Sequence, residues 1–192
     1  MSPMKAEQIA DEIIHLYTLY GEEEYAGEKV SQLEHMVQAA QLALAQGFDD
    51  EVVLAAFLHD IGHIAEKQTD GNSMGRFGIK DHEAIGASFL SERGFSLRLT
   101  RLVGSHVSAK RYLTLREPGY YDQLSEASKN TLAFQGGPMP EEEADLFEMD
   151  PLFREIVQMR RWDEEAKLEN QAMPPISIFK ELIFQHLVSQ PE

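Results

Sequence analysis

Six histidine and aspartate residues are the side chains of this sequence best suited to chemistry, because together they could bind two metal ions. They are His35, the adjacent pair His59 and Asp60, His82, His106 and Asp163. The pair lies in an apolar stretch that begins at Val52, where burying a charge is unfavourable unless something compensates it. A metal ion is a common compensation for imidazole and carboxylate groups. We therefore predict a dinuclear site in which Asp60 bridges two ions about 3.5–4 Å apart.

The elements that must position these residues are helices, because apolar side chains recur every three or four positions along most of the chain. Predicted helices cover residues 5–20, 28–46, 50–65, 81–93, 96–110, 122–134, 141–148, 150–169 and 176–188. Asp49, Asp50 and Ser96 are typical helix-capping residues and Gly47 a typical stop. The candidate ligands come from five different helices, as in metal sites inside helical bundles. The pattern predicts an all-α bundle of one domain over residues 1–192, with the metal-site core at about 20–165.

Composition limits the possible functions. The 192 residues include 33 acidic and 17 basic side chains, and a net charge of -16 argues against a nucleic-acid partner. No cysteine is present, so any metal must bind nitrogen and oxygen ligands. The sequence shows neither a signal peptide nor the roughly 20 consecutive apolar residues of a membrane span. We expect a soluble, cytoplasmic protein with no membrane partner.

The placements predicted for three further histidines differ. His63 lies one turn after His59 and follows Gly62, so its ring could point into the same cavity as a second layer around the metals or as a substrate contact. Packing against the core is the alternative for His63. His15 and His186 have no partners in the pattern, and we expect them to be core or surface residues.

The candidate ligands and the segments around them resemble the HD-domain superfamily, whose signature is a histidine, a His-Asp pair and a distant aspartate on a helical bundle. The added histidines resemble its dinuclear members. More specifically, the sequence resembles the PhnZ-type mixed-valent di-iron oxygenases, which cleave the carbon–phosphorus bond of hydroxylated aminoalkylphosphonates and are related to myo-inositol oxygenase. The matching segments are residues 24–28, 32–35, 54–63, 104–113, 131–139 and 161–164, including His106-Val107-Ser108-Ala109-Lys110-Arg111-Tyr112. Phe134 departs from the pattern, which has tyrosine before Gln-Gly-Gly-Pro.

The resemblance implies a cofactor of two iron ions, Fe(II) and Fe(III), with dioxygen as co-substrate. His35, His59, Asp60 and Asp163 would bind one iron, and Asp60, His82 and His106 the other. Tyr25 would be a mobile residue that covers the oxygen-binding iron until substrate arrives, and Tyr25, Asp60 and His63 would be the catalytic residues. The sequence itself does not exclude manganese or zinc.

The resemblance also implies substrate contacts. Glu28 would meet the substrate ammonium, and five residues would surround the phosphonate: His63, Lys110, Ser128, Thr131 and Arg160. Lys110 lies one helical turn beyond His106, which independently places a cation near the metals. The reaction would release phosphate and a carboxylic acid, downstream of a separate phosphonate hydroxylase.

The amine of the substrate is left open. A primary ammonium would bind Glu28 directly and yield glycine, whereas a trimethylammonium would favour aromatic surroundings and yield glycine betaine. Candidates for such a cage are Tyr25, Phe77, Tyr112, Tyr120 and Tyr121. Two other function classes remain: a dinuclear metal-dependent HD phosphohydrolase, in which the ions activate hydroxide, and a metal-binding module without activity.

Overall fold

The computed structural model describes residues 1–25, 27–66, 72–75 and 78–190. Over these ranges it contains eleven helices and no strand, so the prediction of an all-α bundle is confirmed. The helices are α1 (Pro3–Tyr20), α2 (Gln32–Ala45), α3 (Asp50–Leu58), α4 (Gly62–Ala65), α5 (His82–Glu92), α6 (Leu97–Arg116), α7 (Tyr120–Gln123), α8 (Glu126–Phe134), α9 (Glu141–Glu148), α10 (Phe153–Glu165) and α11 (Ser177–Ser189).

Several helices begin where a side chain can bind the free backbone N–H groups of the first turn. Asp49 accepts from the N–H of Val52, and Ser96 caps α6 in the same way. Ser31 and Glu34 form a reciprocal capping box at the start of α2. This box sets the start of α2 four residues later than predicted, so Glu28 lies in the loop before the helix.

Two predicted helices are each divided in two. The predicted helix 50–65 ends as α3 at Leu58 and resumes as α4 at Gly62, with His59 and Asp60 in the turn between them. The predicted helix 122–134 is divided because Ser125 caps a new helix, α8. Helix α6 runs six residues beyond its prediction, and α10 ends four residues before its own.

The core is arranged around α3, which is buried on every side over residues 52–58. Helices α2, α6, α10 and α11 pack against it, and Phe57 stacks on Phe179 of α11 with ring centroids 4.0 Å apart. His15 is exposed, and His186 packs on Phe95. In the described part of the chain, no helix is both long and apolar enough to cross a membrane.

Candidate metal centre

The six candidate ligands converge in the centre of the bundle, and all are buried. His35 projects from α2, His106 from α6 and Asp163 from α10, while His82 is the first residue of α5. His59 and Asp60 come from the turn after α3. The interruption of the helix at this turn therefore places the paired ligands between the surrounding helices.

One group of ligand atoms gathers around Asp60 Oδ2. This oxygen lies 3.6 Å from Nε2 of His35 and 3.4 Å from Nε2 of His59. Oδ1 of Asp163 lies 3.4 Å from Nε2 of His35 and 3.9 Å from that of His59. Metal–ligand bonds of roughly 2.0–2.2 Å hold neighbouring ligand atoms about 3 Å apart. These four side chains are thus spaced like ligands of one ion.

A second group gathers around the other oxygen of the same carboxylate. Asp60 Oδ1 lies 3.1 Å from Nε2 of His82 and 3.3 Å from Nε2 of His106. The two imidazole nitrogens are 3.0 Å apart. The two oxygens of Asp60 therefore face two different histidine pairs, as a bridging carboxylate must.

Hydrogen bonds orient all four ligand histidines in the same way. Each Nδ1 lies against a backbone carbonyl oxygen: that of Ala166 for His35 (2.8 Å), Ala56 for His59 (2.8 Å), Ile79 for His82 (3.2 Å) and Val103 for His106 (2.8 Å). A proton on Nδ1 leaves the Nε2 lone pair directed at Asp60, which is the usual arrangement for metal-binding histidine. Among the described residues, neither oxygen of Asp60 has a hydrogen-bond partner. The residues present therefore fit a pair of metal ions.

The charges of the two buried aspartates favour a cation at this centre. Burial opposes charging His59, but the Asp60 carboxylate raises the pKa of this imidazole to about 10. Burial likewise opposes ionisation of Asp163, yet the neighbouring Arg160 holds the pKa of that carboxyl well below its usual range. A metal ion would take over the role of the proton on His59.

Glycine permits the close helix contacts behind the ligands. A Cβ at Gly62 would lie 2.0 Å from the backbone oxygen of His82. At Gly104, a Cβ would lie 3.2 Å from Cβ of Ala87, so α6 approaches α5 closely just before His106. Substitution at Gly62 would force α4 and α5 apart and move His82.

A cavity beside the metal centre carries cationic and hydroxyl groups. Lys110, Ser128, Thr131 and Arg160, all predicted phosphonate contacts, line it together with Lys167. Nζ of Lys110 donates to Oγ1 of Thr131 at 2.9 Å, and Arg160 reaches Oγ of Ser128 at 3.5 Å. Burial and the nearby Arg160 charge lower the pKa of Lys110 to about 7. This side of the cavity is chemically suited to an oxyanion.

Arg160 also orients one of the candidate ligands. Its guanidinium donates to Oδ2 of Asp163 and, through Nε, to the Tyr120 hydroxyl at 3.1 Å and to Glu164 at 3.0 Å. One side chain thus fixes a ligand carboxylate and presents charge to the cavity.

His63 faces the same cavity. Its ring stacks on His82 with centroids 4.0 Å apart, and its Nδ1 accepts the backbone N–H of Ile79 at 3.1 Å. Burial, followed by the His82 charge, lowers the pKa of His63 well below its usual value. A neutral His63 therefore carries its proton on Nε2, where it is a hydrogen-bond donor.

The loop between α1 and α2 covers the first ligand group. Tyr25 stacks on His35 with centroids 3.8 Å apart, and its hydroxyl lies 3.4 Å from Oδ1 of Asp163. Glu28 lines the cavity, but its carboxylate accepts from Nζ of Lys167 at 2.8 Å and from Oγ of Ser125 at 2.6 Å. The sequence analysis did not predict Lys167 as a cavity residue. Its position four residues after Asp163 was the only signal for that placement.

The aromatic cage that the sequence left open is not assembled by the described tyrosines. Tyr112 bonds to Glu148, Tyr121 is exposed, and the Tyr120 hydroxyl is engaged by Arg160 and Glu164. Tyr25 is the one described member that lines the cavity. The fifth candidate, Phe77, lies outside the described residues.

Fold and site together define a helical bundle with a buried histidine and aspartate cluster suited to two metal ions. The sequence matches the HD domain over residues 33–154, and the chain belongs to this family. A protein of Acanthamoeba polyphaga mimivirus carrying the name "Uncharacterized protein L432" is 42% identical over 94% of this chain and 82% of its own length.

Two further relatives carry names of enzymes. The [1-hydroxy-2-(trimethylamino)ethyl]phosphonate dioxygenase (glycine-betaine-forming) of Leisingera caerulea is 38% identical over 91% of this chain and 88% of its own length. The hydroxymethylphosphonate dioxygenase of Gimesia maris is 38% identical over 78% of this chain and 74% of its own length. These similarities confirm the resemblance to phosphonate-cleaving HD-domain oxygenases that the sequence motifs predicted.

Proposed function

We propose that this protein is a di-iron dioxygenase that cleaves the carbon–phosphorus bond of a 1-hydroxyalkylphosphonate. The observation that carries the proposal is Asp60, whose two oxygens face separate histidine groups beside a cationic cavity. The names of two relatives support the same reaction class. Carbon C1 is oxidised to a carboxylic acid, the C–P bond breaks, and phosphate leaves. One molecule of dioxygen accepts the four electrons and supplies the two added oxygen atoms.

Iron suits the ligand set, because nitrogen and oxygen donors without thiolate support oxygen chemistry at non-haem iron. When bound, the iron pair supplies the activation of dioxygen and the redox steps. His35, His59, Asp60 and Asp163 would hold one ion, and Asp60, His82 and His106 the other. The protein contributes ligand geometry, substrate orientation and exclusion of water.

The cavity residues would bind the phosphonate. Lys110 and Arg160 neutralise its charge, the hydroxyls of Ser128 and Thr131 donate hydrogen bonds, and the Nε2 proton of His63 adds a donor. These contacts fix the phosphonate while the adjacent C1 hydroxyl is directed toward the metal centre. Binding energy at the phosphonate oxygens is thereby used to position the C–P bond that breaks.

Tyr25 would move when substrate binds. Its hydroxyl lies against Asp163 and its ring on His35, so it fills the space that a substrate atom must occupy beside the first group of ligands. Because substrate displaces Tyr25, the position beside the first group of ligands becomes accessible only when substrate is bound. The C1 hydroxyl itself has to be installed beforehand by a separate hydroxylase that acts on the parent phosphonate.

The predicted products, glycine or glycine betaine, apply to substrates with a primary or methylated amine on C2. The two relatives differ at this position, since one is named for a trimethylamino substrate and the other for hydroxymethylphosphonate, which has no amine. The shared core of the substrate is therefore the 1-hydroxyphosphonate group.

The test is to measure oxygen consumption and phosphate release together, with iron-loaded protein and hydroxyalkylphosphonates. We expect one phosphate per dioxygen consumed and no release without oxygen. Asp60→Asn keeps the size of the bridge but removes its charge, and we expect it to abolish both signals. Phosphate release from hydroxyalkylphosphonates at an undiminished rate under anaerobic conditions would contradict the proposal. Oxygen-independent release of phosphate from phosphate esters, with none from hydroxyalkylphosphonates, would favour the dinuclear phosphohydrolase.

A further inference from the structure

The carboxylate expected to bind a substrate ammonium is already paired with a cation of the protein. Glu28 Oε1 accepts from Nζ of Lys167 at 2.8 Å and from Oγ of Ser125 at 2.6 Å. Both members of the ion pair are largely buried, with 17% of each side chain exposed. Burial opposes the ionisation of Glu28, but the Lys167 ammonium holds the pKa of this carboxyl below its usual value.

Lys167 lies in a segment whose backbone is held by hydrogen bonds to α2. It follows the end of α10, four residues after Asp163. The residues on either side of it form hydrogen bonds: Ala166 O accepts from Nδ1 of His35, and the Leu168 N–H donates to Oε1 of Gln38 at 3.1 Å. The lysine side chain therefore reaches the cavity from a backbone anchored to α2. A substrate does not displace this cation merely by moving the loop that carries Tyr25 and Glu28.

We propose that Lys167 makes the cavity select 1-hydroxyalkylphosphonates that carry no cationic substituent, such as hydroxymethylphosphonate. This inference rests on the proposed function and specifies its substrate class. An ammonium placed at Glu28 would share one carboxylate with Lys167, and two cations a few ångströms apart repel each other in a poorly solvated pocket. Specificity here comes from a repulsive element as much as from an attractive one.

The other charged side chains of the cavity support the same inference. Nζ of Lys167 also lies 3.5 Å from Oγ of Ser128, and the Arg160 guanidinium lies 3.5 Å from the same oxygen. Lys110 lines the cavity as well, so three lysine and arginine side chains border it. Arg160 has Asp163 as its carboxylate partner, and Lys167 has Glu28. No described carboxylate lining the cavity is therefore left for a substrate ammonium once Asp60 and Asp163 bind metal.

The experiment compares kcat/KM for three substrates that share the phosphonate: hydroxymethylphosphonate and the 2-amino and 2-trimethylammonio derivatives of 1-hydroxyethylphosphonate. For the wild type we expect hydroxymethylphosphonate to be preferred by at least about tenfold. Lys167→Met releases Glu28, and we expect the preference to shift by at least about tenfold toward the ammonium substrates. Any loss of phosphonate binding in Lys167→Met affects all three alike and cancels in the ratio.

Two variants serve as comparisons. Lys29→Met removes an exposed lysine next to Glu28 that pairs with Glu169 at the surface, and it should leave the ratios unchanged. Lys167→Gln tests the same charge removal with a polar side chain, in case Lys167→Met folds poorly. Both variants are compared at equal iron content.

A wild type that prefers an ammonium substrate would overturn the inference, because it would show that Lys167 yields Glu28 to the substrate. Equal losses for all three substrates in Lys167→Met would overturn it too. If no substrate is turned over, the proposed function fails, but the inference is still decided by anaerobic calorimetry. Tighter binding of hydroxymethylphosphonate than of either ammonium compound supports it, and the reverse order refutes it.

Discussion

Replacing Lys110 with methionine should change the pH dependence of stability in a defined direction. This lysine is buried, and burial lowers the pKa of its ammonium to about 7 from an ordinary value of 10.5. Between these two values the unfolded chain binds a proton that the folded protein does not. Stability therefore rises with pH across this window, and the unfavourable contribution of the charged lysine is fully present below pH 7.

The magnitude follows from the two pKa values. One proton corresponds to a slope of about 1.4 kcal/mol per pH unit, which gives roughly 2–3 kcal/mol of added stability between pH 7 and pH 9. Lys110→Met has no titrating group at this position and should lack this increment. Other groups titrate in both proteins, so the quantity of interest is the difference between them.

Urea unfolding of the metal-free protein and of metal-free Lys110→Met, each at pH 7 and pH 9, measures this difference. Lys29→Met is the matched control, since its exposed side chain should leave the wild-type slope intact. Parallel stability curves for the wild type and Lys110→Met would refute the reasoning.

The same lysine should make ligand binding depend on pH. A bound phosphonate favours the protonated form of Lys110, so methylphosphonate affinity should fall above pH 7 more steeply in the wild type than in Lys110→Met.

Three further substitutions test other contacts. Gly62→Ala inserts a Cβ at 2.0 Å from the His82 backbone oxygen, so iron analysis should show loss of metal from the second ligand group; two irons per chain would contradict the packing argument. Ser31→Ala removes the α2 capping box with Glu34 and should lower the free energy of unfolding by about 1 kcal/mol in urea titrations, and an unchanged midpoint would count against it. Arg160→Lys keeps a positive charge beside Asp163 but loses the planar guanidinium. It should raise KM for the phosphonate about tenfold at near-normal iron content, and an unchanged KM would remove Arg160 from the binding site.

The sequence predicted the helical class and the residues of the metal cluster because both depend on patterns that a linear chain preserves. Apolar periodicity marked α1 and α2, capping residues marked the starts of α3 and α6, and a carboxylate within an apolar run indicated a compensated charge. The structure brings His35, His82, His106 and Asp163 around Asp60 as the bridging arrangement requires.

Features decided by tertiary contacts were not predictable in this way. The break between α3 and α4 follows no proline or strong stop signal, since it occurs at the ligand pair itself. Lys167 is a single lysine after a helix end, and its meeting with Glu28, 139 positions away, leaves no local signature. Two tyrosines of the candidate cage, Tyr112 and Tyr120, are bonded to side chains of other helices, which periodicity does not reveal.

An anomalous-difference map at the iron edge, from crystals of the iron-loaded protein, tests the central claim most directly. We predict two peaks about 3.5–4 Å apart, one between His35, His59 and Asp163 and the other between His82 and His106, with a carboxylate oxygen of Asp60 directed at each. A single peak, or two peaks that do not share Asp60, would contradict the account.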